Sequence, residues 1–322
     1  MKPIGGYFEL ELPDFRNDFP HALCRALNSG RHALEYILRQ MGNSVKTVHL
    51  PYYTCDVVLE PLRRLGIAHQ LYHIDENLEI ADIPRLKEGH YLIANNYFGI
   101  KDEYIRYLYD RLGSKLIVDN AQAYFAEERL GMKAFYSPRK FVGIPDGGFA
   151  WSPIETELEV PHDFSSHRCS HLMKRIDGGA SSGYKDFKEN SLKLSEEPMK
   201  AMSALTYRIL GSIDFDEVIY RRRRNFEYLH QALGPTNLLA IPDMRNVACP
   251  MVYPYRIHNH TLRDRLISNS VFIAKYWPNV LRWCNDGNLE YDLVNQILPL
   301  PIDQRYDTTD MERIVSIILE WK

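Results

Sequence analysis

The sequence lacks a CxxC pair and an even set of cysteines. Its five cysteines, Cys24, Cys55, Cys169, Cys249 and Cys284, are widely scattered. That excludes a disulfide framework and a zinc-ribbon pattern, and it suits a reducing cytoplasm. No apolar run approaches the ~20 residues that a membrane helix requires. The opening Met1-Lys2-Pro3-Ile4-Gly5-Gly6-Tyr7 has no apolar core of a signal peptide. Charge of one sign is not in excess either: the net charge is -3, which gives no reason to expect nucleic acid or anionic lipid as a partner. His162, His167, His171, His258 and His260 show no HExxH-type spacing, so no metal centre is expected. Repeats and low-complexity segments are also absent.

What is present is an ordinary globular composition over a length that suits one large and one small domain. The chain has 322 residues, 45% hydrophobic and 25% charged, enough to bury a sizeable core. Ser29 reads as an N-cap, and Ala33, Leu34, Ile37 and Leu38 follow at helical spacing. Strands are expected from Val45 to Leu50, Ala68 to Ile74, Tyr91 to Ala94 and Leu116 to Asp119. Helices are expected between them, over Val57 to Leu65 and Asp102 to Leu112, each ended by a glycine. Continuous apolar strands alternating with helices imply an α/β fold with a mostly parallel sheet covered on both faces. Ligands of such sheets bind beyond the carboxyl ends of the strands.

The large α/β domain is expected over residues 1–212, with a polar surface excursion over 155–205 that is helical in part. A small C-terminal α+β domain follows over 213–322. It opens with a helix from Phe215 to Leu233, and later has a strand near Val247 to Tyr253, a helix near Thr261 to Ser268, a strand near Phe272 to Ala274 and a last helix near Thr309 to Ile318. The run Arg221-Arg222-Arg223-Arg224 reads as a mostly solvated or subunit-facing stretch.

Three features carry chemistry. Leu116-Ile117-Val118-Asp119 ends a buried strand on a carboxylate, with Gln122 three residues on. Ser137-Pro138-Arg139-Lys140 places a serine and a lysine in one turn. Gly147-Gly148 follows, where the backbone can approach another segment closely. An acid at a strand end, a lysine set among apolar residues and a glycine pair suit a pyridoxal phosphate site. There the lysine amine condenses with the cofactor aldehyde and the acid pairs with the pyridine nitrogen. Gln122 can donate to the ring oxygen, and Ser137 can bond the phosphate. The Ser29-Gly30-Arg31 helix opening offers free N–H groups to an anion, and Arg31 can add charge.

In order and spacing these motifs resemble the DegT/DnrJ/StrS family of pyridoxal-phosphate-dependent sugar aminotransferases, which have the aspartate aminotransferase-like fold (fold type I). Ser29-Gly30-Arg31-His32-Ala33-Leu34 is similar to the family's Ser-Gly-Thr-x-Ala-Leu. Pro51-Tyr52-Tyr53-Thr54 is similar to its Pro-x-Phe-Thr turn, and Val118-Asp119-Asn120-Ala121-Gln122 to its Glu-Asp-Ala-Ala-Gln. Lys140 with Gly147 and Gly148 matches its lysine and glycine pair. Ile297-Leu298-Pro299-Leu300-Pro301 is similar to its leucine-proline strand. The resemblance spans roughly residues 20 to 320.

The resemblance implies Lys140 and Asp119 as catalytic residues. It implies a cofactor cradle of Lys140, Asp119, Gln122, Ser137, Ser29, Gly30 and Arg31. Cys55 stands where the family often has a ring-stacking aromatic, which leaves Tyr52 or Tyr53 for that role. Arg31 stands in place of a threonine. The family's Gly-x-Asn-x-Arg segment is not recognisable between Gly183 and Leu205. The implied reaction moves an amino group from an amino acid, typically glutamate, to a keto sugar carried on a nucleotide, in surface polysaccharide or secondary-metabolite synthesis. The implied assembly is a homodimer with shared active sites. Two other readings stand beside it: a different pyridoxal phosphate reaction on the same fold, and a non-catalytic binding or regulatory protein.

Overall fold

The structure, a computed structural model, describes residues 7–13, 19–156, 158–259 and 261–320. Seven strands form one sheet: β1 (Arg25–Leu27), β2 (Thr47–Pro51), β3 (Ala68–Tyr72), β4 (His90–Asn95), β5 (Leu116–Asn120), β6 (Lys133–Tyr136) and β7 (Gly148–Trp151). Their order is β1-β7-β6-β5-β4-β2-β3. Strands β2 to β6 run parallel, and β7 is antiparallel to both of its neighbours. The helices of this region are α1 (Gly30–Met41), α2 (Leu59–Arg64) and α3 (Asp102–Leu112). This is the expected mostly parallel α/β sheet.

Alternate residues of the central strands belong to two separate apolar clusters. Ile93, Ile117 and Phe135 pack with Leu34, Ile37 and Leu38 of α1 on one face. Leu92, Val118 and Ala134 pack on the other. The strand period of two therefore sends Asp119, two residues after Ile117, off the sheet on the α1 side. Parallel register aligns Asn95, Asp119 and Phe135 side by side at the carboxyl edge.

The chain then runs through α4 (Ser170–Ser182), α5 (Tyr184–Glu196) and α6 (Ala204–Leu210). The expected excursion is thus largely a helical hairpin, bent where Gly179 takes φ +76. Gly211 closes α6 and Asp214 caps α7 (Phe215–Leu233), so residue 212 lies in the turn between them. After α7 come β8 (Tyr253–Arg256), α8 (Leu262–Ser268), α9 (Val280–Trp283), α10 (Leu289–Gln296), β9 (Ile297–Leu300) and α11 (Thr308–Leu319). β8 and β9 pair antiparallel. One apolar cluster runs across both parts, from Val118 and Tyr136 to Leu298 and Ile317.

Three expectations are corrected. Residues 247–252 form no strand, because their polar groups are bound elsewhere. Arg223 donates to the Val247 carbonyl at 2.5 Å, and the Ala248 N–H donates to Asp102 at 2.8 Å. Residues 272–274 form no strand either, and Arg263 donates to the Ala274 carbonyl at 2.7 Å. The arginine run is only partly solvated. Arg222 is buried and donates to the Met251 carbonyl at 3.0 Å, the Phe141 carbonyl at 3.1 Å and Gln304 at 3.1 Å. A guanidinium has five donors in a fixed fork, so carbonyl dipoles can satisfy it without a carboxylate.

The glycine pair fixes how the first helix enters. Gly147 has φ +125, donates its N–H to the Asn28 carbonyl at 2.9 Å and bridges Ser29. A Cβ on Gly148 would lie 2.3 Å from the Ser29 carbonyl carbon and 2.5 Å from the Gly30 nitrogen. Only a missing side chain permits that approach. Gly148→Ala is therefore expected to cost about 3 kcal/mol or more. Gly113→Ala, at φ +52 but with nothing within 4 Å, is expected to cost about 1 kcal/mol. Chemical denaturation of the two variants measures the difference; equal losses would mean that the close approach is not what the glycine protects.

Candidate active site

The carboxyl edge of the sheet gathers Asp119, Gln122, Cys55 and Lys140. Asp119 accepts the Ala121 N–H at 2.8 Å. Burial raises its pKa above the ordinary carboxylate value, while the charge of Lys140 and the Ala121 bond hold it down. Burial also raises the Cys55 thiol; Lys140 draws it down and Asp119 pushes it up. These mutual influences put the three groups around one space. Gln122 is buried and its Oε1 accepts the Phe98 N–H at 3.0 Å, but its Nε2 has no partner among the described residues. With Oε1 committed, the amide hydrogens are left to an acceptor that the described residues do not supply.

The second wall is the start of α1. Ser29 caps the helix and accepts the His32 N–H at 3.3 Å. Its first turn leaves N–H groups without intrahelical partners. Gly30 faces the lysine turn: a Cβ there would lie 3.3 Å from Ser137 Cβ and 3.6 Å from Ser137 Oγ. Ser137, Gly30 and Ser29 are thus brought together across more than a hundred residues. Lys140 is exposed at the end of that turn, and its N–H donates to the Ser137 carbonyl at 3.2 Å. The carbonyl of the next residue, Phe141, accepts from Arg222 at 3.1 Å and from Gln304 at 2.9 Å.

Three expected side chains are occupied elsewhere. Arg31 turns its guanidinium to Glu60 of α2, at 2.5 Å, and is paired there. Tyr53 is fully buried, with its carbonyl bound by the Tyr97 hydroxyl at 2.7 Å and its ring edge-on to Trp277 at 5.1 Å. Tyr52 stacks on His73 at 4.5 Å. Cys55 is the member of this turn that shares the space of Lys140 and Asp119.

Sequence reasoning did not find Tyr276, whose hydroxyl is raised to about 12 by burial and by Cys55. Nothing periodic in the sequence marks it. Arg139, beside Lys140, was passed over as well. Burial and the charge of Arg31 lower it to about 10, and it donates to Ser191 Oγ at 3.4 Å. Away from this edge, His21, Cys24 and Glu128 bring their ligand atoms within 4.8 Å of one another. His21 bonds both Glu128 and the Tyr124 carbonyl, so the cluster is satisfied internally.

These residues fit pyridoxal phosphate. A half-buried carboxylate suits a pyridinium nitrogen, and the unpartnered Gln122 amide suits a ring oxygen. Ser29, Gly30 and Ser137 form a cradle that a glycine Cβ would narrow, and Lys140 is an amine at its rim.

No protein-family model matches the sequence, and no curated protein matches it. Solved structures do match in fold. A DegT DnrJ EryC1 StrS aminotransferase from Brucella abortus superposes with a TM-score of 0.63 at 16% identity, covering 92% of this chain and 85% of that one. The sugar aminotransferase CalS13 from Micromonospora echinospora gives 0.62 at 15% identity, covering 94% and 88%. DesI, solved in the presence of its TDP-sugar product, gives 0.60 at 16% identity, covering 92% and 79%. The chain shares the fold of these aminotransferases.

Three buried histidines of this region and the sheet, His32, His49 and His171, have pKa values lowered chiefly by burial. His32 falls to about 3. The unfolded chain takes up a proton near the ordinary histidine value that folded His32 refuses, so stability falls as pH drops below about 6.5. His32 alone contributes a slope of about 1.4 kcal/mol per pH unit down to about pH 3. His32→Gln is expected to flatten the stability profile between pH 6 and pH 4 by that amount, as read from urea unfolding at each pH. An unchanged slope would show that His32 is protonated in the folded chain.

Proposed function

We propose that this chain is a pyridoxal-phosphate-dependent aminotransferase. In this reading it moves an amino group from an amino acid, glutamate first among donors, to a keto sugar carried on a nucleotide. The observation that carries it is the mutual influence of Asp119 and Lys140 at the sheet edge where the unpartnered Gln122 amide follows β5 and the Gly30 backbone meets Ser137 after β6. The sugar substrate is supported by the shared fold with CalS13 and DesI, which are named for sugar chemistry.

Pyridoxal phosphate, when bound, supplies an electron sink for charge that develops on the substrate carbon next to nitrogen. Asp119 would hold the counter-charge at the ring nitrogen in a partly buried place, where the pairing is less screened than in water. Gln122 Nε2 would donate to the ring oxygen. Ser29, Ser137 and the α1 N-terminus would hold the phosphate. Lys140 would provide the amine that anchors the cofactor and would move the proton at the substrate carbon. The Arg222 and Gln304 bonds to the Phe141 carbonyl keep the backbone beside Lys140 in place while it does so.

The homodimer with shared sites, the cytoplasmic location and a role in surface polysaccharide or secondary-metabolite synthesis belong to the same proposal. Phe164, Ile176 and Leu192 are exposed apolar side chains on or beside the α4–α5 hairpin, and a second copy would cover such surface.

Purified protein mixed with pyridoxal phosphate is expected to show a visible absorbance band, lost in Lys140→Ala and shifted by glutamate with release of 2-oxoglutarate. No band in the wild type sinks the enzyme reading. A Lys140-dependent band that ignores glutamate removes the donor. Light scattering is expected to give twice the 37.6 kDa chain mass; a monomeric mass at working concentration overturns the shared site.

A further inference from the structure

Ser29 does more than cap α1. Its Oγ accepts the His32 backbone N–H at 3.3 Å and lies 2.9 Å from His32 Nδ1. On the far side of the ring, Arg64 NH1 lies 3.1 Å from His32 Nε2. The same NH1 donates to buried Glu35 at 2.8 Å, and Arg64 NH2 lies 3.5 Å from Glu60. A guanidinium can only donate. A guanidinium hydrogen directed at Nε2 favours a bare nitrogen there and the imidazole proton on Nδ1, opposite Ser29.

Ser29 Oγ has two lone pairs. The His32 backbone N–H and the Nδ1–H claim both. The hydroxyl hydrogen is what remains, so Ser29 can only donate to anything placed before the helix. The relay is stable in its charge state: His32 is fully buried, and burial with the charges of Arg64 and Arg31 keeps it neutral. The Glu197 carbonyl also touches the ring and favours a proton on it; Arg64, held by two glutamates, opposes that proton at Nε2. The wall opposite is Ser137, across Gly30. Among the described residues the buried Gln122 amide has no partner, and it follows the end of β5 as Ser137 follows the end of the paired β6, so it points independently to a ligand at this sheet edge.

We propose that Arg64 and His32 are positioning residues that fix Ser29 as an obligate hydrogen-bond donor to a phosphate monoester at the start of α1. The inference rests on the cofactor reading above and adds the device that orients the phosphate donor. A serine that merely caps a helix keeps a spare lone pair and can turn its hydrogen elsewhere. Here the choice is removed in advance, which lowers the ordering that binding must impose.

The test compares pyridoxal phosphate with pyridoxal, which has the same ring and aldehyde but no phosphate. Each is titrated into wild type, Ser29→Ala, His32→Leu and Arg64→Met. Each variant is expected to weaken pyridoxal phosphate about tenfold or more and to leave pyridoxal unchanged. Ser29→Ala combined with His32→Leu is expected to be no weaker than Ser29→Ala alone, because the two act through one hydrogen bond. Nitrogen-15 NMR of histidine-labelled wild type is expected to show His32 protonated on Nδ1 only, which needs no variant to fold. Equal losses for both ligands would reduce the relay to a structural role, and a proton on Nε2 would overturn it. Wild type that binds pyridoxal but gains nothing from the phosphate refutes the Ser29 assignment alone. Wild type that takes up neither ligand sinks the cofactor reading itself.

Discussion

The close approach of Gly148 to the Ser29–Gly30 backbone is the constraint on which the rest of the site depends. A Cβ at Gly148 would overlap the carbonyl of Ser29. Because nothing is there, the end of β1 lies directly on the start of β7, and α1 begins against the lysine turn. Gly30 then meets Ser137. One missing side chain thus brings a helix N-terminus and a Ser-x-x-Lys turn into one wall. The free energy of this contact is mostly exclusion: almost any other residue at 148 would force the two segments apart.

The second constraint is electrostatic. Asp119 leaves the sheet on the α1 side, where burial disfavours its charge and the lysine favours it. Gln122 spends its carbonyl on the Phe98 N–H and leaves its amide open. A buried donor without a partner costs free energy, and an acceptor recovers it. The same argument applies to Ser29, where the His32 relay fills both lone pairs. On the proposed reading, the polar groups of this edge would complement a ring oxygen and a phosphate.

The second part of the chain holds this arrangement from outside. Arg222 of α7 reaches the Phe141 carbonyl, with its guanidinium 4.8 Å from the Phe141 ring centroid. Gln304 reaches the same carbonyl. A buried guanidinium surrounded by carbonyls is costly to disturb, since removing any one acceptor leaves its charge less compensated. The backbone beside Lys140 is therefore tied to α7 and to the segment after β9. The two parts of the chain share one apolar core as well as this tie.

Much of this was legible in the sequence where neighbours within a few residues decide the outcome. Helices α3 and α7 begin and end where spacing, caps and glycines placed them. The continuous apolar run at 116–118 marked a buried strand, and its length placed Asp119 at the carboxyl edge of the sheet. Ser29, Lys140 and the glycine pair stood out for the same local reasons. The tertiary structure alone decided which distant groups meet. It buried Arg222 in a run that looked solvated, turned Arg31 to Glu60 and sealed Tyr53 in the core. It also set Tyr276 beside Cys55 and put Arg64 behind His32. Backbone periodicity and capping are set by short-range sterics and hydrogen bonding, so the sequence carries them. Burial, ion pairing and the position of a proton on a ring depend on atoms dozens of residues away, and only the folded chain brings those atoms within reach.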